Sequence, residues 1–221
     1  VTWGDVRIIT GLRAARLEAL GVRPGSTAVP QRAARGPIVF GDEADPLVAA
    51  WTFDDRMGVV AQLRLLGAMQ REHITPARDT IIAFTVHEEG GCHGAKVLAH
   101  RERPEVFIAI DGCPIAPGAP LAIDGRPCAW SKDAKCHFDQ RLLIDLAAAA
   151  RTAGTELQYA VLPNAFSDAS AVYDVGAVPR VATFGHVREN SHGYEVARLS
   201  VFDNVHHTLV AFMRDWERRG Q

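Results

Sequence analysis

No run of about 18 apolar residues occurs in this sequence, so it offers no candidate for a membrane-crossing helix. Its opening residues, VTWGDVRIIT, lack the charged segment and following apolar stretch of a secretory signal, and a cytoplasmic location is the default expectation. Charge of one sign is lacking too. A formal net charge of -2 and a pI near 6.5 leave no basic field for a polyanion, so no nucleic-acid partner is expected. The arginines near the C-terminus read as the solvated end of a helix. Cysteine is scarce: four residues, none in CxxC spacing, make no disulfide scaffold in a chain of 221 and are expected to be reduced and partly buried. No GxSxG elbow is present, which argues against a serine hydrolase, and neither a low-complexity tract nor a fixed-period repeat appears.

Apolar material is what the chain does have. At 48% hydrophobic and 23% charged residues it can form one substantial core and a small second module. The texture changes near residue 45. Before it the chain is rich in Gly, Pro and Arg, with a short strand expected at Val6 to Thr10 and an amphipathic helix from Leu12 to Leu20, stopped at Gly21. A turn at Pro24-Gly25 and a connecting segment from Arg32 to Asp45 follow.

From Val48 onward, apolar strands alternate with helical patterns. Helices are expected at Met57 to Gln70, Gly94 to His100, Gln140 to Thr152 and Asp168 to Val175, and strands at Thr80 to Val86, Val106 to Ile110, Leu157 to Leu162 and Val178 to Phe184. A last helix, Asp203 to Arg218, places Val205, Leu209, Phe212, Met213 and Trp216 on one stripe, with Asp203 as its N-cap. Strands separated by helices of this length predict an α/β fold with a mainly parallel central sheet flanked by helices.

Acidic residues recur at the expected strand ends, where ligands of parallel sheets gather. In TIIAFTVHEEGG, an apolar run ends at Glu88 and Glu89 and then two glycines, which allow close approach to the backbone. Asp54 and Asp55 follow a short apolar piece and precede a helix, so plain N-capping competes with a functional role for that pair. Asp111 ends VFIAI in the same manner, and His192 lies in the loop after the strand ending at Phe184. Taken singly, each reads as a solvated turn, a cap or a surface histidine. Together, carboxylates and an imidazole from successive strand ends form a donor set suited to zinc, cobalt or manganese.

The ordered series FDDRMG, VHEEGG followed by HGAK, AIDG, SDAS and SHGYE resembles the M42 family of metallo-aminopeptidases, relatives of glutamyl aminopeptidase that form tetrahedral shells. The resemblance runs from Val48 to the C-terminus, and residues 1 to about 37 resemble the tail of the family's small inserted β domain. It thus implies two parts: 1–45, the end of that β domain with its connection, and 46–221, a zinc-peptidase-like catalytic domain. It further implies two divalent ions, bridged by Asp54, with Glu89 and His192 completing one site and Asp111 belonging to the other. Glu88 would then be the general base that takes a proton from the water between the ions as it attacks a peptide bond. Peptide substrates and a dodecameric homo-oligomer are implied as well. Asp168, in SDAS, matches an acidic position of the family, although capping the following helix accounts for it equally well.

One family feature is missing. Members carry a further metal-binding His in an HxD motif well upstream of the DDR motif, whereas the first histidine here is His73. His137-Phe138-Asp139 follows three of the ligands and is expected to open the helix from Gln140; His87, His93 and His186 lie near the motifs. Two expectations follow: the chain is the later part of a longer two-metal enzyme, or it is a metal-binding or assembly protein with impaired turnover. The first is preferred, because a parallel sheet without its opening strands would expose apolar faces and edges. A glycosidase is disfavoured, since adjacent Glu88 and Glu89 cannot readily flank one glycosidic bond across the required separation of about 5 to 9.5 Å.

Overall fold

The computed structural model describes residues 12–28, 36–116 and 121–216. The chain divides into two units, Val1–Ala34 and Arg35–Gln221. In the first, α1 (Ala14–Ala19) is a six-residue helix with no buried residue, ended by Gly21 at a φ of 80°. So short a helix cannot offset its nucleation cost by its own hydrogen bonds, which is why the expected amphipathic helix is abbreviated. The strand expected at Val6 to Thr10 lies outside the described residues.

The second unit opens with a three-stranded antiparallel sheet formed by β1 (Ile38–Phe40), β2 (Leu47–Trp51) and the late strand β9 (Tyr194–Arg198), in the order β1-β2-β9. The segment read as connection thus carries a strand, with Val39 opposite Val48. A small core of Val48, Ala50, Phe53, Ala197 and Val201 lies beneath this sheet.

The central sheet consists of β3 (Val106–Ile110), β7 (Arg180–Gly185), β5 (Cys128–Asp133) and β6 (Gln158–Leu162), ordered β3-β7-β5-β6. The β3–β7 and β5–β6 pairs are parallel, and β5 meets β7 antiparallel. Val181 to Gly185 of β7 are all buried, as a strand covered on both faces requires. A two-residue parallel pair, β4 (Cys113–Pro114) with β8 (Val187–Arg188), extends the ends of β3 and β7.

Among the described residues, five helices flank these strands: α2 (Phe53–Arg71), α3 (His93–Glu102), α4 (Gln140–Thr152), α5 (Asp168–Asp174) and α6 (Leu199–Asp215). Buried Leu142, Leu143, Leu146, Ala149 and Ala150 place the apolar stripe of α4 against the main core, at the spacing a 3.6-residue repeat demands. Asp139 caps this helix by accepting the Leu142 N–H at 2.9 Å, in line with the expectation that the HFD segment opens it, and also pairs with Arg180. In α6, Val205, Leu209 and Phe212 are buried and Met213 and Trp216 pack against them, but the helix begins four residues before Asp203. Because β9 runs straight into it, Asp203 faces outward and pairs with Arg64 at 2.6 Å instead of capping.

The expected strand Thr80 to Val86 forms no ladder among the described residues. A strand exists only through a partner's hydrogen bonds, which composition cannot supply. Ile81, Phe84 and Val86 are 58%, 48% and 65% exposed, so this apolar run is not the doubly covered strand its sequence suggests. Its end is nevertheless held: the Gly94 N–H donates to Val86 O at 2.9 Å, and a Cβ at Gly94 would stand 2.6 Å from the Val86 backbone.

Replacing fully buried Leu146 by Ala should destabilise the fold by about 2–5 kcal/mol. Replacing exposed Ile144 of the same helix should change stability by about 0.5 kcal/mol or less. Equilibrium urea unfolding of the two variants checks the assignment of the inward stripe, and equal losses would contradict it.

Candidate active site

Three structural layers meet where the acidic residues gather, rather than one parallel sheet as expected. Asp54 and Asp55 follow β2 of the antiparallel sheet, Glu88 and Glu89 lie in the turn after the unpaired segment, and Asp111 follows β3 of the central sheet. His192 comes from the turn between β8 and β9. The convergence survives this change of frame, because the ends of β2 and β9 are paired side by side, Trp51 opposite Tyr194.

The two neighbouring aspartates diverge because the backbone at Asp54 (ψ 113°) and Asp55 (ψ 50°) is not helical, although both lie within the span of α2. Asp55 turns back along the helix, and its Oδ1 accepts the Gly58 N–H at 3.1 Å, so the capping reading is correct for this residue. Asp54 faces the other way. Its Oδ2 lies 3.0 Å from His192 Nε2, which in turn is 3.4 Å from Glu89 Oε2. Asp54, Glu89 and His192 form one group whose donor atoms all lie within 4.8 Å of each other, and Asp54, Asp55 and Asp111 form a second. Asp54 belongs to both. His192 and Glu89 are largely exposed while the Asp54 side chain is only 11% exposed, so the site opens to solvent on the histidine side.

Glu88 points into a different cluster, with Cys92 and Asp168. The buried Cys92 thiol donates to Glu88 Oε1 at 3.6 Å, and Asp168 Oδ2 accepts the Thr85 hydroxyl at 2.5 Å. Asp168 does not cap α5: Ser167 precedes that helix, and its N–H donates to Ser170 Oγ at 3.2 Å. Burial, then the charges of Asp168 and Glu89, pushes the Glu88 carboxyl up to about 7. Burial likewise raises Asp55, with Asp111 and Asp54 adding to it, and raises Asp111, with Asp54 and Glu88 adding to it. Glu89 is raised by burial and Asp54, while His192 and Arg188 act against the rise.

Of the five residues singled out from the sequence, Asp54, Glu89 and His192 share one group, Asp111 joins Asp54 in the second, and Glu88 lies in a third with Cys92 and Asp168. None of the other described histidines joins either acidic group: His137 lies beside the cap of α4, His87 and His93 face one another at 6.4 Å between ring centroids, and His186 is buried against Phe53 and Phe202. Sequence reasoning passed over Arg188 and Glu195, both buried beside Asp54. A signal existed, since β9 alternates outward and inward and Glu195 takes an inward position that apolar residues usually fill.

The donors present fit divalent cations. One group joins an imidazole to two carboxylates, and the other crowds three carboxylates, of which burial and neighbouring negative charges raise Asp55 and Asp111.

The fold is shared with solved peptidases. An aminopeptidase of the archaeon Desulfurococcus kamchatkensis matches with a TM-score of 0.76 and 24% identity, over 91% of this chain and 57% of its own. The TET1 peptidase of Pyrococcus horikoshii, which can assemble into a tetrahedron or a large octahedral shell, gives a TM-score of 0.70 and 23% identity over 80% of this chain and 52% of its own. In sequence, a curated Acetivibrio thermocellus protein named as a candidate aminopeptidase is 25% identical over 171 residues, 74% of this chain and 50% of that protein. The family model of M42 glutamyl aminopeptidase matches residues 1–207. The chain belongs to this family of metal-dependent peptidases. It spans about half the length of the relatives it matches.

Raised carboxyls bind protons in the folded state that the unfolded chain, titrating near about 4, has already released. Asp55, Asp111 and Glu88 therefore stabilise the fold less as pH climbs from about 4 through their raised values. Buried His186, held down to about 3, gives the opposite slope below about 6.5 and lies outside the acidic groups. The melting-temperature increase on adding zinc should accordingly be larger at pH 8 than at pH 5. An increment independent of pH, by scanning calorimetry, would contradict this electrostatic account.

Proposed function

We propose that this chain carries the reacting centre of a metal-dependent aminopeptidase that removes N-terminal residues from peptides. The observation that supports it most directly is the sharing of Asp54 between the His192 group and the Asp111 group, with Glu88 presented beside them from the same turn as Glu89. In this reading Asp54, Glu89 and His192 hold one divalent ion, Asp54 and Asp111 hold the second, and zinc, cobalt or manganese suits the donors. When bound, the ions would supply polarisation of the scissile carbonyl and acidification of a water.

Glu88 has the proton-transfer role. Its carboxyl, raised to about 7, is a stronger base than an ordinary glutamate, suiting it to take a proton from the attacking water and return it to the leaving amine. Cys92 is a hydrogen-bond donor to that carboxyl and not a nucleophile, because burial pushes its thiol well above the usual range. Glu89, turned toward His192, is unavailable for the same task. The exposed side of His192 and Glu89 gives the substrate its approach.

Self-association is part of the proposal by likeness to the shell-forming Pyrococcus horikoshii peptidase. A second reading, a metal-binding or assembly subunit without turnover, is favoured by one observation: no imidazole joins the Asp54, Asp55 and Asp111 group among the described residues. Fold alone does not choose the chemistry, for a Thermotoga maritima structure described as an endoglucanase also matches, with a TM-score of 0.57 and 13% identity.

Assays on short peptides with free and blocked N-termini separate these readings. Glu88→Gln should lower turnover about 100-fold or more while leaving metal content unchanged. His192→Ala should lower metal content as well, and a chelator should abolish activity. Turnover of the Glu88→Gln variant equal to the parent's would overturn the general-base role. Bound metal with no peptide release by the parent would support the non-catalytic reading instead.

A further inference from the structure

We propose that Arg188, clamped by Glu195 and lying over the bare backbone of Gly112, is a positioning residue that fixes Asp54 in the orientation cation binding needs. The inference rests on the reading of Asp54 as a shared metal ligand and adds the device that aims it.

Arg188 is 2% exposed and Glu195 is completely buried. Two charges removed so fully from water must be paired with one another or with other charges. The pairing here forms a closed ring through Asp54. Arg188 Nε forms an ion pair with Glu195 Oε1 at 2.7 Å without the alignment of a hydrogen bond, the other oxygen of Glu195 accepts the Asp54 N–H at 3.0 Å, and Arg188 Nη2 donates to Asp54 Oδ2. Asp54 is thereby held at both its backbone and its carboxylate. The oxygen that Arg188 grips is the one that lies 3.0 Å from His192 Nε2, so the guanidinium sets where the donors of the His192 group meet.

The arginine is itself held from three directions. Its backbone carbonyl accepts the Ile115 N–H at 2.9 Å in the β4–β8 pair, and Ser191 Oγ accepts from Nη2 at 3.0 Å. Beneath it, a Cβ at Gly112 would stand 1.3 Å from Nη1, so no other residue at position 112 permits this placement. This gives the glycine of AIDG a reason that turn geometry alone does not provide. A lysine could restore the positive charge here but not the fork that joins Glu195 to Asp54.

A plain structural ion pair predicts lost stability on mutation with unchanged metal affinity in whatever remains folded. A positioning role predicts lost affinity. Zinc binding to the parent, Arg188→Lys and Glu195→Gln proteins should be measured by titration calorimetry well below their melting temperatures, with circular dichroism to confirm folding. The Lys variant should bind zinc about 10–100-fold more weakly, the range typical of lost orienting partners behind a metal ligand. The isosteric Gln variant should lose affinity in the same direction, and it decides the matter should the Lys variant not fold. Zinc binding by the folded Lys variant within twofold of a binding parent would overturn the inference alone. A parent that binds no zinc would overturn the metal-site reading beneath it, and the inference with it.

Discussion

Carboxylates repel one another, and this chain brings six of them, Asp54, Asp55, Glu88, Glu89, Asp111 and Glu195, to the meeting point of its layers. Burial magnifies that repulsion, because the low-dielectric interior screens less than water. The structure meets the problem with a small set of compensations: Arg188 among Asp54 and Glu195, the Gly58 N–H on Asp55, the Cys92 thiol on Glu88, and His192 between Asp54 and Glu89. These contacts leave Asp55, Asp111 and Glu88 with carboxyls far more basic than usual. Stored electrostatic strain of this kind is what a cation site requires, since the same repulsion that opposes folding favours the ion.

Topology makes the gathering possible without putting the ligands on one element. The antiparallel sheet supplies Asp54 from the end of β2 and brings Glu195 across from β9, where Ala50 faces Glu195 in register. The central sheet supplies Asp111, and its β7 strand continues through His186 to Arg188. Between them, the glutamate turn is attached to α3 by the Gly94 N–H and by Lys96, whose ammonium donates to Gly91 O at 2.8 Å. Glu88 and Glu89 can thus be placed accurately at the end of a segment that forms no ladder itself.

Much of this was legible in the sequence because it is local. The helix Gln140 to Thr152 was readable to the residue, since its apolar stripe and the capping Asp139 are short-range features. The motif residues were readable because acidic side chains after apolar runs violate the expectation of burial and so stand out. What misled the reading was pairing. Thr80 to Val86 has strand composition without ladder partners among the described residues, and Tyr194 to Arg198 is a strand although two of its five residues are charged. In the latter, Glu195 and Arg198 owe their places to specific partners, Arg188 for one and the Ile123 carbonyl for the other.

The sequence by itself determined which side chains could do chemistry here and in what order they arrive, since periodicity, capping and motif spacing are properties of neighbours along the chain. It therefore identified Asp54, Glu88, Glu89, Asp111 and His192 as candidates and allowed their family to be recognised. Only the tertiary structure decided how they divide: Asp54 into two groups, Asp55 to a helix cap, Glu88 to a cluster with Asp168 and Cys92, and Arg188 with Glu195 behind Asp54. The physical reason is distance along the chain. Asp54 and Glu195 are 141 residues apart, and a bond across such a separation is fixed by the packing of whole layers, which no short window of sequence contains.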